Sequence, residues 1–126
     1  MRTQRDRLAE RLGQLQLSSA QVETSAVVSA DGLIIASALP PQVDEDRLAA
    51  MSAAMLSLGD RMMTELSRGQ LQQVYIRGSA GLIILMAVGP QAVLTVMAHP
   101  QAKIGLLLFD VSRAADDLAR LLAERP

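Results

Sequence analysis

The sequence contains no cysteine and no tryptophan, and its Phe and Tyr content is limited to Tyr75 and Phe109. Without cysteine the chain can form neither a disulfide nor a thiolate metal site, which fits a reducing compartment. Half of the 126 residues are nevertheless apolar. We therefore expect a single domain over residues 1–126, with a core built from Leu, Ile, Val, Ala and Met.

An excess of charge of either sign is also missing, because twelve basic residues face thirteen acidic ones. The basic residues are dispersed except for an amino-terminal group, so the sequence shows no basic patch of the kind that binds nucleic acid. The start lacks the apolar segment of a signal peptide, and the longest nearly uncharged tract, residues 78–101, is interrupted by two prolines. We expect a cytoplasmic protein with no nucleic-acid partner and no integral membrane segment.

No catalytic or metal-binding pattern is recognisable. The single histidine, His99, precedes a proline at the end of a predicted strand and has no evident catalytic partner. The carboxylates of residues 44–46 start a predicted helix, where capping and the helix dipole explain them. Residues 78–81, Gly-Ser-Ala-Gly, lack the lysine and the helix of a phosphate-binding loop and are typical of a hairpin turn. We expect no enzymatic activity, no metal and no cofactor.

The proline-free segment 44–69 predicts one long helix with an unusually wide apolar surface. One apolar face falls in an arc of roughly 100°, and we predict that it packs on the core: Leu48, Met51, Met55, Leu58, Met62 and Leu66. A second apolar group lies beside it: Ala49, Leu56 and Met63, with Ala53 at its edge. Together they exceed what one sheet covers, which predicts that a partner packs on the second group. The alternative is that a short segment of the same chain covers it.

Around this helix the periodicity predicts a helix, two strands, the long helix, three strands and a last helix. The predicted ranges are 5–17, 22–29, 33–37, 44–69, 71–77, 82–88, 92–98 and 103–123. Asp31-Gly32 predicts a type I′ hairpin between the first two strands. Because residues 33–36 are all apolar, we expect helices on both faces of an antiparallel sheet, an α+β sandwich. The strand 71–77 carries little charge and is typical of an edge that pairs with another copy.

Four stretches resemble the Roadblock/dynein light-chain domain, and in particular its bacterial MglB-type members: residues 26–37, the Ala- and Met-rich helix 46–68, residues 74–78 and residues 103–107 followed by a helix. The resemblance implies a three-layer α-β-α sandwich of topology αββαβββα, with a five-stranded sheet in the order 2-1-5-4-3. It also implies a homodimer formed through the long helix and the third strand. The dimer contacts expected from this resemblance are Ala49, Ala53, Leu56, Met63, Gln72, Gln73, Val74 and Tyr75.

The function implied by the resemblance is that of a non-enzymatic dimeric regulator or adaptor that binds a Ras-like small GTPase, which we expect it to prefer in the GTP-bound state. The candidate contacts are the polar positions of the long helix: Arg47, Ser57, Asp60, Arg61 and Thr64. Because Arg61 lies in the middle of a helix, we expect it to be a contact rather than an arginine finger. The alternative is an architectural dimerisation module of a signalling or motor complex, indifferent to nucleotide state. A small-molecule sensor is disfavoured, since strand 82–88 supplies no polar side chain.

Overall fold

The computed structural model describes residues 2–124, which form three helices and five strands. In chain order they are α1 (Gln4–Ser18), β1 (Val22–Ser29), β2 (Ile34–Ala38), α2 (Glu45–Glu65), β3 (Gln73–Gly78), β4 (Gly81–Val88), β5 (Ala92–Ala98) and α3 (Ile104–Ala123). The strands make one antiparallel sheet in the order β2-β1-β5-β4-β3. The predicted topology and strand order are confirmed.

The sheet lies between two helical layers, as the apolar strands predicted. Helices α1 and α3 pack on one face around a large cluster of buried aliphatic side chains that includes Leu12, Leu94 and Leu118. Helix α2 packs alone on the other face and contacts all five strands. Strands β4 and β5 are largely buried, whereas β3 is an edge strand in which every second side chain is exposed. This asymmetry leaves one helix to cover an entire sheet face.

The β1–β2 hairpin is confirmed, but its turn is not of type I′. Only Gly32 has positive φ, at 91°, and Ser29 pairs with Leu33 through its backbone N–H at 2.8 Å, so the loop has three residues. A glycine with positive φ at the end of such a loop is a common alternative to the two-residue turn. The Ser29 hydroxyl donates to Asp31 at 2.6 Å and holds the pKa of that carboxyl below its usual value. The loop then rests against α2, where Gly32 approaches Ala50.

Helix α2 ends four residues before the predicted Gly69. Ser67 takes the left-handed conformation with φ of 56°, and the Arg68 N–H reaches back to the Met63 carbonyl at 2.8 Å. The Ser67 N–H bonds to the Thr64 carbonyl, which completes a Schellman cap. The prediction of Gly69 as the capping residue was therefore wrong, because a serine took that position two residues earlier.

The prediction of which α2 face meets the sheet was also wrong. Ala49 and Ser52 are buried on the side of α2 that faces the sheet. The residues beside them are half-buried: Ala53, Leu56, Gly59 and Met63. Four residues of the predicted core face have more than half of their surface exposed: Met51, Leu58, Met62 and Leu66. Gly59 illustrates the reason, since a Cβ placed there would lie 2.9 Å from Cδ2 of Leu71, which precedes β3, and 3.4 Å from Cγ2 of Val74 in β3. The helix approaches the sheet so closely that small side chains are needed at the contact, and the large ones lie outside.

Candidate functional site

The exposed flank of α2 forms a continuous apolar row along the helix. Its members, which we call the methionine stripe, are Met51, Met55, Leu58, Met62 and Leu66, with exposed fractions between 38% and 62%. They recur at spacings of three and four residues and so share one side of the helix. A soluble domain rarely leaves such a row uncovered, and flexible methionines are common where a surface adapts to a partner.

Beside the stripe, part of the sheet face is also uncovered. Val74 lies under Gly59 of α2, so Ile76, two residues further along β3, points to the same face. Ile76 pairs with Ile83 of β4, and Ile83 pairs with Met97 of β5, so all three form one row across the sheet. All three are only half-buried, and they line an open depression of about 440 Å³ that continues to the β3–β4 turn. This row was not predicted from the sequence, although alternate residues of a strand are known to share one face of the sheet.

The β3 edge completes this side of the molecule. Among the described residues no strand pairs with the outer edge of β3, where Gln73, Tyr75 and Arg77 are exposed. The Arg77 guanidinium lies 5.9 Å from the centre of the Tyr75 ring, so the charge is held against an aromatic face. An unpaired edge is a template for another strand, and an edge free of acidic side chains offers little to oppose it.

The residues expected to contact a second copy fall into three groups. Ala49 has no exposed surface in the single chain, because it packs against Ala26 and Val28 of β1. Ala53, Leu56, Met63 and Val74 are half-buried between α2 and its own sheet, which leaves them little surface to share. Gln72, Gln73 and Tyr75 are exposed at or before the β3 edge. The methionine stripe, which we had predicted as core, takes the place of the alanine group as the candidate contact.

The five candidate contacts for a partner protein are all exposed: Arg47, Ser57, Asp60, Arg61 and Thr64. Ser57, Asp60, Arg61 and Thr64 lie within two turns of α2 at spacings of three and four residues, so they are neighbours on its surface. Ser57 and Asp60 line a cleft on the flank opposite the methionine stripe. Arg61 makes a 3.4 Å ion pair with Glu65 one turn later. Arg47 lies in the first turn of the helix, away from the other four.

Within residues 2–124 no three His, Asp or Glu side chains come together as metal ligands. The His99 Nδ1 lies 3.1 Å from Glu23 Oε2, and both side chains are about half exposed. No described helix is long and apolar enough to cross a membrane. The geometry instead offers three exposed surfaces, namely an apolar helix flank, an open sheet row and a free strand edge.

Comparison with known proteins identifies the family. The model of the Roadblock/LC7 domain matches residues 8–98, so the chain belongs to that family. MJ0310, an uncharacterized protein of Methanocaldococcus jannaschii, is 34% identical over 97 residues, which cover 77% of this chain and 84% of the relative.

Two solved structures have the same fold. A Roadblock/LC7 domain from Streptomyces avermitilis superposes with a TM-score of 0.85 at 20% identity, over 92% of this chain and 98% of that one. Myxococcus xanthus MglB gives 0.86 at 18% identity, over 92% and 94%. At these identities the likeness establishes the fold alone.

Proposed function

We propose that this protein is a non-enzymatic homodimeric adaptor whose paired α2 helices bind a Ras-like small GTPase. The observation that carries the dimer is the apolar methionine stripe beside an open sheet row and an unpaired β3 edge. A second copy related by a two-fold axis near β3 would lay its own α2 over the open row and join the two sheets. Dimer contacts are then Met51, Met55, Leu58 and Met62, together with Tyr75 and Ile76.

The energetics favour such a dimer. Burial of each exposed leucine or methionine contributes about 1.5–3 kcal/mol when complete, and the two-fold axis doubles the number of side chains involved. Losing translational and rotational freedom on association costs about 4–15 kcal/mol. Burial of four partly exposed side chains from each copy is of the right order to offset that cost. Hydrogen bonds between the two β3 edges would add to the stabilisation.

A matched pair of variants tests the dimer. Leu58 in the stripe and Leu106 on α3 are 54% and 55% exposed, so a lysine at either position disturbs the monomer equally little. We expect Leu58→Lys to convert a particle of about twice 13.5 kDa into a monomer, and Leu106→Lys to leave it unchanged. Multi-angle light scattering over a hundredfold concentration range decides this. A wild-type monomer at all concentrations, or equal behaviour of both variants, would contradict the proposal.

The GTPase partner is proposed from the likeness to MglB and from the surface that dimerisation leaves free. With the methionine stripe covered, the side of α2 that points away from the sheet remains open and carries Arg47, Ala50, Ala54 and Arg61. Alanines there let a partner approach the helix backbone, and the two arginines flank them. A surface on a rigid helix needs only about 1.4 kcal/mol of differential contact to prefer one switch state tenfold. With such a partner we expect the protein to act in the cytoplasm.

The test uses a Ras-like small GTPase from the same organism, loaded with GDP or with a non-hydrolysable GTP analogue. We expect the dimer to bind the GTP-analogue form about tenfold more tightly, and Arg61→Ala to lower affinity and any stimulated hydrolysis together. A fall of roughly 10³-fold in hydrolysis with binding intact would instead identify an arginine finger. Equal affinity for both nucleotide states would favour the architectural module, which needs only the dimer.

A further inference from the structure

A second surface feature lies on the flank of α2 that faces away from the methionine stripe. There a cleft of about 310 Å³ runs between the helix and the ends of β1, β4 and β5. We call it the α2 cleft. Its lining residues are Ala30, Ala53, Leu56, Ser57, Asp60, Ala87, Gly89, Pro90, Ala92 and Val93. Because the methionine stripe occupies the other flank, dimerisation through the stripe leaves this cleft open in each copy.

The cleft owes its depth to small side chains. Four alanines and a glycine line it, and Gly89 has φ of 60° in the tight β4–β5 turn. Leu56, Pro90 and Val93 complete a largely apolar wall. A wall of this kind suits the hydrocarbon stem of a long side chain.

One ionisable group belongs to the lining, and it is negative. The Asp60 carboxylate takes part in none of the ion pairs or side-chain hydrogen bonds formed within residues 2–124, whereas its neighbour Arg61 is paired with Glu65. Ser57, one turn earlier on the same flank, supplies a hydroxyl. No basic residue lines the cleft, so an anion finds no counter-charge there. An uncharged apolar group would strip water from the carboxylate without replacing its hydrogen bonds.

We propose that the α2 cleft receives an arginine side chain of the bound partner, its stem against the alanine wall and its guanidinium on Asp60 and Ser57. The identity of the partner rests on the proposed function, whereas the chemistry of the cleft does not. Arginine fits better than lysine, because a guanidinium is more weakly hydrated than an ammonium and offers several donors in a plane. A carboxylate and a hydroxyl spaced three residues apart on one helix flank can accept two of them.

The chemistry of the cleft can be tested without the partner. The dimer, labelled at its alanine methyl groups, is titrated with n-butylguanidinium and, as a neutral isostere, with n-butylurea, while NMR shifts are followed. We expect saturable shifts at Ala53, Ala87 and Ala92 that are larger than those at alanines outside the cleft. Affinity for n-butylguanidinium should fall about two- to fivefold in Asp60→Asn, the range of a solvent-accessible ion pair.

Two variants separate filling of the cleft from general perturbation of the surface. Ala87 is exposed and lines the cleft, so Ala87→Leu should block the probe; Ala54 is exposed on the side away from the sheet, so Ala54→Leu should leave probe binding unchanged. Equal binding of n-butylurea and n-butylguanidinium, or unchanged affinity in both Asp60→Asn and Ala87→Leu, overturns the proposal.

Asp60→Asn and Ala87→Leu are then measured against the GTPase used above, whereas Ala54→Leu is left out because Ala54 lies on the surface proposed to contact that partner. If the cleft binds the probe but Ala87→Leu leaves the affinity for the GTPase unchanged, the arginine does not come from that partner. The proposed function is not affected by this result. A wild-type dimer that binds no GTPase refutes the proposed function, and the NMR titration still decides whether the cleft recognises a guanidinium.

Discussion

The attachment of α2 to the sheet depends on one buried polar contact, and its removal should have a measurable cost. The Thr95 hydroxyl of β5 donates to the Ser52 hydroxyl at 2.8 Å, and both residues are less than 6% exposed. Ser52→Ala leaves the Thr95 hydroxyl without this partner in a dry interface, a loss of about 1–3 kcal/mol. Alanine is the better helix former by up to about 0.5 kcal/mol, so we expect a net destabilisation of about 1–2 kcal/mol.

The partner substitution should cost less. In Thr95→Val the Ser52 hydroxyl can turn to the carbonyl of Leu48, four residues earlier in the helix, and so remains satisfied. We expect a loss of under about 1 kcal/mol, because no buried donor is orphaned. In the double variant both hydroxyls are gone and the shapes are nearly kept, so its stability should lie close to that of wild type. The coupling free energy of the cycle is then about 1–3 kcal/mol and favours the native pair.

Urea unfolding followed by far-UV circular dichroism measures the four free energies, at one protein concentration because the proposed dimer would add to stability. Unchanged m-values would show that the variants unfold from similar native states. Two results would refute the reasoning. One is a Ser52→Ala protein as stable as wild type. The other is a double variant whose loss of stability equals or exceeds the sum of the two single losses. Either would mean that packing of the small residues, rather than this hydrogen bond, holds the helix on the sheet.

Three further substitutions have expected outcomes. Gly13 lies inside α1, where an added methyl group would have nothing within 4 Å, so Gly13→Ala should stabilise by about 1 kcal/mol and raise the Tm by about 3–6 °C in calorimetry. Gly32 has φ of 91°, so Gly32→Ala should destabilise by about 1–2 kcal/mol, seen as a lower urea midpoint. The Thr3 backbone N–H and then its hydroxyl hold the pKa of Asp6 below its usual value, so this capping stabilisation is present above pH about 4 and is lost as pH falls through the lowered pKa. The excess stability of wild type over Asp6→Asn should therefore be constant near neutral pH and shrink below pH about 4.

Much of the fold was predictable from local pattern because each element satisfies its own periodicity. The β1–β2 hairpin, the apolar strands β4 and β5 and the amphipathic α3 lie close to where residue spacing indicated. Element ends were less predictable, since they depend on single dihedral angles. Ser67 in the left-handed region is an example, because glycine or asparagine is the usual residue at that position.

The orientation of α2 could not be read from hydrophobicity, because the helix has two apolar arcs and periodicity does not say which one meets the sheet. Side-chain size decides it here. Ala49, Ser52 and Gly59 allow a close approach, and a larger side chain at Gly59 would collide with Leu71. A sequence signal was present: small residues recur at spacings of three and four with a serine among them, and a buried serine calls for a polar partner such as Thr95. The predicted contacts on the helix depended on the same choice of arc: Ala49, Ala53, Leu56 and Met63.

The close approach of α2 to the sheet also links the surfaces proposed for binding. The methionine stripe and the α2 cleft lie on opposite flanks of one helix, and the open row of Ile76, Ile83 and Met97 lies on the uncovered part of the sheet beside the stripe. A rotation of α2 about its axis toward the cleft would narrow the space around Asp60 and expose more of the stripe, so the two surfaces cannot change independently. The Ser52–Thr95 bond and the small residues around it oppose that rotation. Variants that weaken this contact should therefore alter dimerisation and guanidinium binding together, whereas Leu58→Lys and Ala87→Leu should each alter only one of them.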